Sequence, residues 1–473
     1  MKLKKIVALI CAAIMCGALL ADGGALVRPV PRAQLQRRFA EGIDVIGIVH
    51  WGLNTFTDRE WGYGDEDPAD LNPKSFDADQ IVGACKAGGL QGLVVVAKHH
   101  DGFCLWPTKT TEHNITKSPF RGGKGDYVRE MADACRRAGL KFGVYCSPWD
   151  RNCADYGTDR YLEIYRAQLR ELLTNYGDVF EMWFDNANGG DGYYGGAREK
   201  RKIPKGYYGF GDVFRLVRSL QPNVCIFNEH DEADLRFCGT ETGYVDPDSR
   251  STGLHCDGVW TNYVKWANSG VVEGTTFLMV EADFPLRPGW FYHTAENGKA
   301  RSAESLMKTY LGTVGNAATM NIGIAPTKDG ILCDEDVKAL QGFGRLRQAF
   351  FAQEVKVPGA PFNLILMRED VADGEHVDGW EFVADGKVVA SGRSIGYKRM
   401  RLLPSTVSAK EFDVKVTACE GRRPDICISR YLVDPVLADT VMKASGKTGE
   451  TEVLKALLGD KRMKIKQDKT VKK

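Results

Sequence analysis

His50-Trp51-Gly52-Leu53-Asn54-Thr55-Phe56 follows the first apolar run of the chain, Asp44 to His50, and its reading decides the fold. A doubly wound nucleotide-binding sheet carries a glycine-rich turn at this place, G-x-G-x-x-G, which brings backbone amides against a pyrophosphate. The stretch holds one glycine among bulky side chains. Further runs rich in β-formers recur at Gly92 to His99, Leu140 to Cys146, Val179 to Asp185 and Asn223 to Phe227. Between them, Asp77 to Ala87 opens on an N-capping aspartate and closes at Gly88-Gly89. Val128, Met131, Ala132 and Cys135 follow helical spacing before Gly139. Strands alternating with helices indicate parallel βα units, and five or more of them without the nucleotide turn favour a (β/α)8-type barrel, an α/β fold.

In such barrels the chemistry sits at the C-terminal ends of the strands. Here those ends are His50-Trp51, Lys98-His99-His100-Asp101-Gly102-Phe103, Tyr145-Cys-Ser-Pro-Trp149-Asp150-Arg151 and Trp183-Phe184-Asp185-Asn186. Three of the chain's eight histidines fall at two of these ends. The last is the most pointed, because an apolar run stops at an acid and then breaks into Asn and Gly, Asp185 to Gly190. That pattern delivers a carboxylate to a loop, for a strand cap or for catalysis.

The rest of the chain bounds the function. A formal net charge of +1 provides no global field for nucleic acid or membrane, so binding must be local. Residues 1–21 pair a basic start with a short apolar run and read as a secretory signal peptide, with export to the periplasm or medium; a lipoprotein anchor on Cys16 has a poorer context, and stable membrane insertion is not expected. Residues 22–350 read as the barrel, with Asp334 to Phe350 its last helix. Residues 351–433 change to short alternating runs with an Asp385-Gly386 hairpin turn, a β-sandwich pattern, and 434–473 read as a basic tail. Cysteines inside the predicted elements, such as Cys85 and Cys146, read as small buried hydrophobes, while Cys419 and Cys427 leave a disulfide open. Oligomeric state is not legible.

A ring of Trp, His, Asp and Arg suits two chemistries. Sugar hydrolysis uses aromatic faces against pyranose C–H surfaces, His and Arg for hydroxyls, and two carboxylates. A metal site would use His99, His100, Asp101 and Asp185. Adjacent strand residues point to opposite faces, so His99 and His100 share one ion only if the strand has already ended.

In order along the chain, His50-Trp-Gly-Leu-Asn-Thr-Phe56, Glu60-Trp61-Gly62, Lys98-His-His-Asp-Gly-Phe103, Ser147-Pro-Trp-Asp-Arg151, Trp183-Phe-Asp-Asn186 and Arg236-Phe-Cys-Gly-Thr-Glu-Thr-Gly243 resemble the motifs of family 29 glycoside hydrolases, the retaining α-L-fucosidases. The resemblance runs from about Gly42 to Arg347 and on into the β-sandwich at Ser394-Ile-Gly-Tyr-Lys398. It implies Asp185 as nucleophile and Glu241 as acid/base, with Glu229 as fallback; Thr240 stands where the family usually has Asn. It further implies His50, Glu60, Trp61, His99, His100, Tyr145 and Arg236 as substrate-binding residues, and places Glu281 in a Glu-x-Asp segment without a role; Trp149 and Trp290 are read as substrate-binding aromatics from their place beside polar site candidates. The implied partner is a fucosylated oligosaccharide or glycoconjugate, with no cofactor and no metal. The Ser-Pro-Trp-Asp-Arg branch implies fucose linked α-1,3 or α-1,4, as in Lewis-type antennae. A fucose-binding protein without turnover and a fucosidase of other linkage preference are the alternatives.

Overall fold

The computed structural model describes residues 27–254 and 266–444, so the signal peptide read over 1–21 and the end of the basic tail lie outside the described residues. Eight parallel strands close a barrel in sequence order: β1 (Val45–Val49), β2 (Gly92–Lys98), β3 (Lys141–Cys146), β4 (Glu181–Trp183), β5 (Cys225–Phe227), β6 (Leu235–Phe237), β7 (Met279–Pro285) and β8 (Thr319–Ile324). β8 returns to pair with β1, from Val45 opposite Met320 to Val49 opposite Ile324. The barrel read from the sequence is therefore present. Around it lie α1 (Ala33–Glu41), α2 (Ala78–Ala87), α3 (Tyr127–Ala138), α4 (Asp159–Asn175), α5 (Phe210–Leu220), α6 (Ala303–Thr313) and α7 (Asp334–Phe350).

Local chemistry sets the element ends. Asp77 accepts a hydrogen bond from Gln80 N at 3.0 Å to cap α2, Asp126 caps α3 through Arg129 N, and Gly139 ends α3 at φ 73°, where a side chain would be strained. The strands are buried on both faces, as parallel strands covered by helices must be. Period two sorts their side chains. Ile46, Ile48, Val94, Val96, Tyr145, Trp183, Phe227, Leu235 and Met279 fill the barrel interior, while Val45, Val49, Leu93, Val95, Val144 and Met182 pack outward under the helices.

The N-terminal end of the barrel is closed by α1, whose Leu35 and Phe39 join the interior cluster. Arg38 reaches between two buried strand acids, at 2.5 Å from Glu181 and 3.4 Å from Glu281. Glu281 also accepts from Trp183 Nε1 at 3.1 Å and Asn321 Nδ2 at 2.9 Å. Burial, then the charge of Glu181, holds the Glu281 carboxyl well above the ordinary range. One cation thus serves two acids, one of which keeps its proton. Arg38→Met is expected to cost about 3–5 kcal/mol, because it strands buried acids without their partner. Without the cation both carboxyls have raised pKa values in the folded state, so the folded chain binds extra protons and stability falls as pH rises above the ordinary carboxylate range. Urea unfolding at pH 5 and pH 8 checks this: the variant's deficit must be larger at pH 8.

Past the barrel, two three-stranded antiparallel sheets stack face to face. One is ordered β12-β9-β14 and the other β11-β10-β13, from β9 (Pro361–Glu369), β10 (Val377–Ala384), β11 (Lys387–Gly392), β12 (Arg399–Ser408), β13 (Phe412–Cys419) and β14 (Ile426–Tyr431). Phe362, Ile365, Met367, Trp380 and Phe382 form the core between them. Asp385 and Gly386 make the β10–β11 turn at φ 45° and 77°, as Asp-Gly predicts. Cys419 and Cys427 are free thiols on strands of different sheets. The tail read from 434 starts differently: Pro435–Lys443 is a helix, capped by Asp434, with Ala438 and Val441 buried in the main core. No helix among the described residues is long and apolar enough to cross a membrane.

Candidate active site

The inward parity of the barrel strands carries straight into the loops that follow them. Ile46 and Ile48 face inward, so His50 does; Tyr145 and Trp183 face inward, so Asp185 does. These side chains meet at the C-terminal mouth, where they line a cavity of two joined lobes. The first, about 120 Å³, is bounded by His50, Trp61, His99, His100, Tyr145 and Trp290 over β1 to β3. The second, about 320 Å³, is bounded by Phe184, Asn186, Phe227, Glu229 and Phe237 over β4 to β6. Trp183, Asp185, Ala187, Glu241 and Asp283 line both.

Asp185 stands where the lobes join. Its Oδ2 accepts from the Tyr145 hydroxyl at 2.9 Å and its Oδ1 from Ala187 N at 2.6 Å, which fixes the plane of the carboxylate. Burial pushes the Tyr145 phenol well above its usual range, so this donor keeps its proton. His100 Nε2 lies 3.7 Å from Asp185 Oδ2. Burial draws His100 down to about 4 and His50 to about 3, and puts His99 well below the ordinary imidazole range, so all three rings are neutral near pH 7.

Their neighbours orient two of the rings. Ser147 Oγ lies 2.7 Å from His100 Nδ1 and 2.9 Å from Trp149 O, which fixes the plane of the His100 ring. Asn54 Oδ1 accepts from Gly62 N at 3.0 Å, so Asn54 Nδ2 donates to His99 Nδ1 at 3.4 Å and the proton of His99 sits on Nε2. β2 ends at Lys98, which frees both rings from strand alternation; their centroids lie 4.1 Å apart and both line the same lobe. The condition under which the two histidines share a face, a strand that has already ended, is met here.

Trp61, 49% exposed, forms the rim, edge-on to His100 at 5.2 Å and to Trp149 at 5.5 Å. Arg151 donates to the carbonyls of Trp61 and Gly62 and pairs with Asp191 at 3.1 Å, fixing that rim. Opposite it, Trp290 packs 5.1 Å from His50, over Gly323, where a Cβ would come within 2.8 Å of the indole.

Three acids face Asp185. Glu241 lies on the loop after β6, open to solvent, and the surrounding protein followed by the charges of Asp185 and Glu60 lifts its carboxyl above the ordinary range, against a hydrogen bond from the Trp290 side chain. Burial pushes Glu229 up to about 8, with Oε2 buried and unpartnered. Asp283 is nearly fully buried and is held well above its usual range by burial and the charge of Glu241. A carboxylate braced at one side of a pocket and protonated acids across it can divide nucleophilic and proton-donating work.

The α-L-fucosidase family model matches residues 40–349 of the chain, most of its length. The chain belongs to the α-L-fucosidase family. A protein of Oryza sativa subsp. japonica is 38% identical over 340 residues, 69% of this chain and 60% of its own length. Alpha-L-fucosidase 1 of Arabidopsis thaliana is 35% identical over 331 residues, 70% of this chain and 62% of its own length. The chain thus spans about three fifths of the curated relatives it matches. A solved glycoside hydrolase 29 family member from an unknown rumen bacterium is 37% identical with a TM-score of 0.82, covering 90% of this chain and 81% of that one. The barrel and the C-terminal antiparallel sheets match that structure.

Within this α-L-fucosidase-family site, His50, Trp61, His99, His100, Tyr145, Trp290, Asp185 and Glu241 line one cavity. Three others stand elsewhere. Arg236 is the outward residue of β6, fully buried, and donates to the carbonyls of Ala267, Arg250 and Leu278; it braces the loop beyond β6 and lines neither lobe. Trp149 is buried behind Trp61 and His100, with Nε1 donating to Tyr194 Oη at 3.0 Å. Glu60 accepts from Trp290 N at 3.0 Å, Phe291 N at 3.2 Å and His293 Nε2 at 2.7 Å, so it holds the loop that presents Trp290. Sequence reading missed Asp283. The signal was there, since it lies two residues beyond Glu281 on the same strand and so shares its inward parity. Among the described residues the ligand-type cluster Cys333, Glu335 and Asp336 lies away from the cavity, with the Arg287 guanidinium bonded to all three.

Proposed function

We propose that this chain is a retaining exo-α-L-fucosidase that hydrolyses terminal α-L-fucose by double displacement. The observation that carries the reading is the braced carboxylate of Asp185, shared between a lobe walled by Trp61, Trp290 and three neutral histidines and the loop that carries Glu241. In the first step Asp185 bonds to the anomeric carbon of fucose, the glycosidic C–O bond breaks, and the proton of Glu241 goes to the departing oxygen. In the second, Glu241 takes a proton from water, the water oxygen bonds to the anomeric carbon, and Asp185 leaves. Retention requires the two carboxyls to act from opposite faces at about 5 to 5.5 Å. His99 Nε2–H and the ring nitrogen of His100 that faces the lobe supply hydrogen bonds for sugar hydroxyls, and the aromatic walls cover the C–H faces.

The Ser147-Pro-Trp-Asp-Arg151 segment, which braces His100 and the Trp61 rim, supports a preference for α-1,3 and α-1,4 linkages of Lewis type. Residues 1–21 support action outside the cytoplasm. A linkage panel is the test: Lewis trisaccharides are expected to be cleaved with kcat/KM about tenfold or more above 2'-fucosyllactose, the scale on which one set of subsite contacts discriminates. A reversed order overturns the linkage reading and leaves fucose release intact; no release from any fucoside, the aryl fucoside included, overturns the activity.

A further inference from the structure

The loop that carries Trp290 hangs on carboxylates. From Leu286 to His293 the backbone is irregular, and the amides of Gly289, Trp290 and Phe291 all donate to acid side chains, Gly289 N to Glu296 at 3.1 Å and the other two to Glu60 at 3.0 and 3.2 Å. Gly289 permits this approach, since a Cβ there would run into Glu60 Oε1. The Glu60 side chain is 40% exposed, so water competes for the same oxygens. His293 fixes it from the far side. Its Nε2 lies 2.7 Å from Glu60 Oε1, and its Nδ1 lies 2.7 Å from Oδ1 of Asp58, the residue that ends the short helix Leu53–Thr57.

Ionised carboxylates accept hydrogen bonds and do not donate them, so a ring with an acid oxygen against each nitrogen needs a proton on both. A neutral imidazole would turn a lone pair on one of the two acids. Burial opposes the charge, and the hydrogen bonds to Asp58 and then Glu60 outweigh it, which holds the ring above the ordinary imidazole range. The neighbouring charges are engaged elsewhere: Arg59 pairs with Glu66 at 3.2 Å, and Glu296, on the ring's own loop, takes Gly289 N. We propose that His293 is a positioning residue, a cationic clamp that locks Glu60 against the Trp290 loop and so sets the wall on which fucose packs. Its ring lines neither lobe, so it acts through Trp290 and not on the sugar. The inference rests on the reading of the first lobe as the fucose pocket and adds what holds that pocket's wall in place.

The experiment is calorimetric binding of L-fucose at pH 6, where an imidazole of ordinary pKa or above is mostly charged. His293→Gln, which is neutral and cannot span both acids, is expected to weaken binding about tenfold, the scale of one aromatic contact let loose. His293→Arg keeps a planar cation with donors for two carboxylates and is expected to bind within about threefold of wild type. Trp290→Ala is expected to weaken binding by a similar factor to His293→Gln. Adding His293→Gln to Trp290→Ala is then expected to change affinity less than about twofold, because the clamp acts through that side chain. A residue needed only for folding would lower the melting temperature, leave the affinity of the folded protein alone and give losses that add. Wild-type affinity in His293→Gln, or additive losses in the double variant, overturns the inference alone. Wild type that binds no L-fucose overturns the pocket reading, and this inference with it.

Discussion

Asp185→Ala will lower kcat/KM on an aryl α-L-fucoside by about 1000-fold or more, and added azide will restore turnover with β-L-fucosyl azide as product. The size follows from what the side chain is proposed to do, since removing the attacking atom removes the covalent route and leaves only pocket binding and proton donation. The product's configuration follows from where the carboxylate stands. An α-fucoside attacked by Asp185 becomes a β-linked enzyme ester; with the side chain shortened, azide fits the vacated space beneath Tyr145 and attacks the same face. A purely structural Asp185 predicts something else. Its loss would strip a partner from Tyr145 Oη and Ala187 N, lowering the melting temperature while fucose release persisted. Full activity in Asp185→Ala, or an α-configured azide, would remove Asp185 from the nucleophile's place.

The elements most legible in the sequence are those whose own residues decide them. β1 to β3 are unbroken apolar runs, α2 and α3 carry their caps in the chain, and Asp385-Gly386 specifies a hairpin. β6 and β7 are hidden for the opposite reason. β6 is three residues with an arginine at its centre, and β7 turns two acids, Glu281 and Asp283, into the barrel, which breaks the apolar pattern that marks a buried strand. The same parity argument separates Arg236 from its motif neighbours: with Leu235 and Phe237 inward, Arg236 has to point away from the mouth. The division of labour in Ser147-Pro-Trp-Asp-Arg151 is likewise invisible from spacing, because it depends on contacts with Lys98, His100, Trp61 and Asp191 that only the closed barrel creates. Pocket volume and the two-lobed shape belong to that class of non-local facts.

Glu241→Ala will separate Glu241 from Glu229 as the proton donor. Loss of the general acid is expected to cost about 100- to 10,000-fold on a glycan whose leaving oxygen must be protonated, and much less on aryl fucosides with acidic phenols, which depart unaided. In this variant azide will attack the Asp185-linked intermediate from the side of the departed group and yield α-L-fucosyl azide, the opposite anomer to that from Asp185→Ala. The pH profile carries the same information. Wild-type kcat/KM needs Glu241 protonated, so activity falls as pH rises through its raised pKa; Glu241→Gln cannot ionise, and the basic limb disappears along with most of the rate. Glu229, pushed up to about 8 by burial, would give a basic limb as well, and the distinction lies in access. Glu241 sits on an open loop and can take its proton from water and return it in each cycle, whereas Glu229 Oε2 is shut off from solvent and without a partner. Glu229→Gln is therefore expected to keep the basic limb. If instead Glu229→Ala gives the α-azide and Glu241→Ala does not, proton donation belongs to the buried acid, and the leaving oxygen must lie deeper in the cavity than the loop allows.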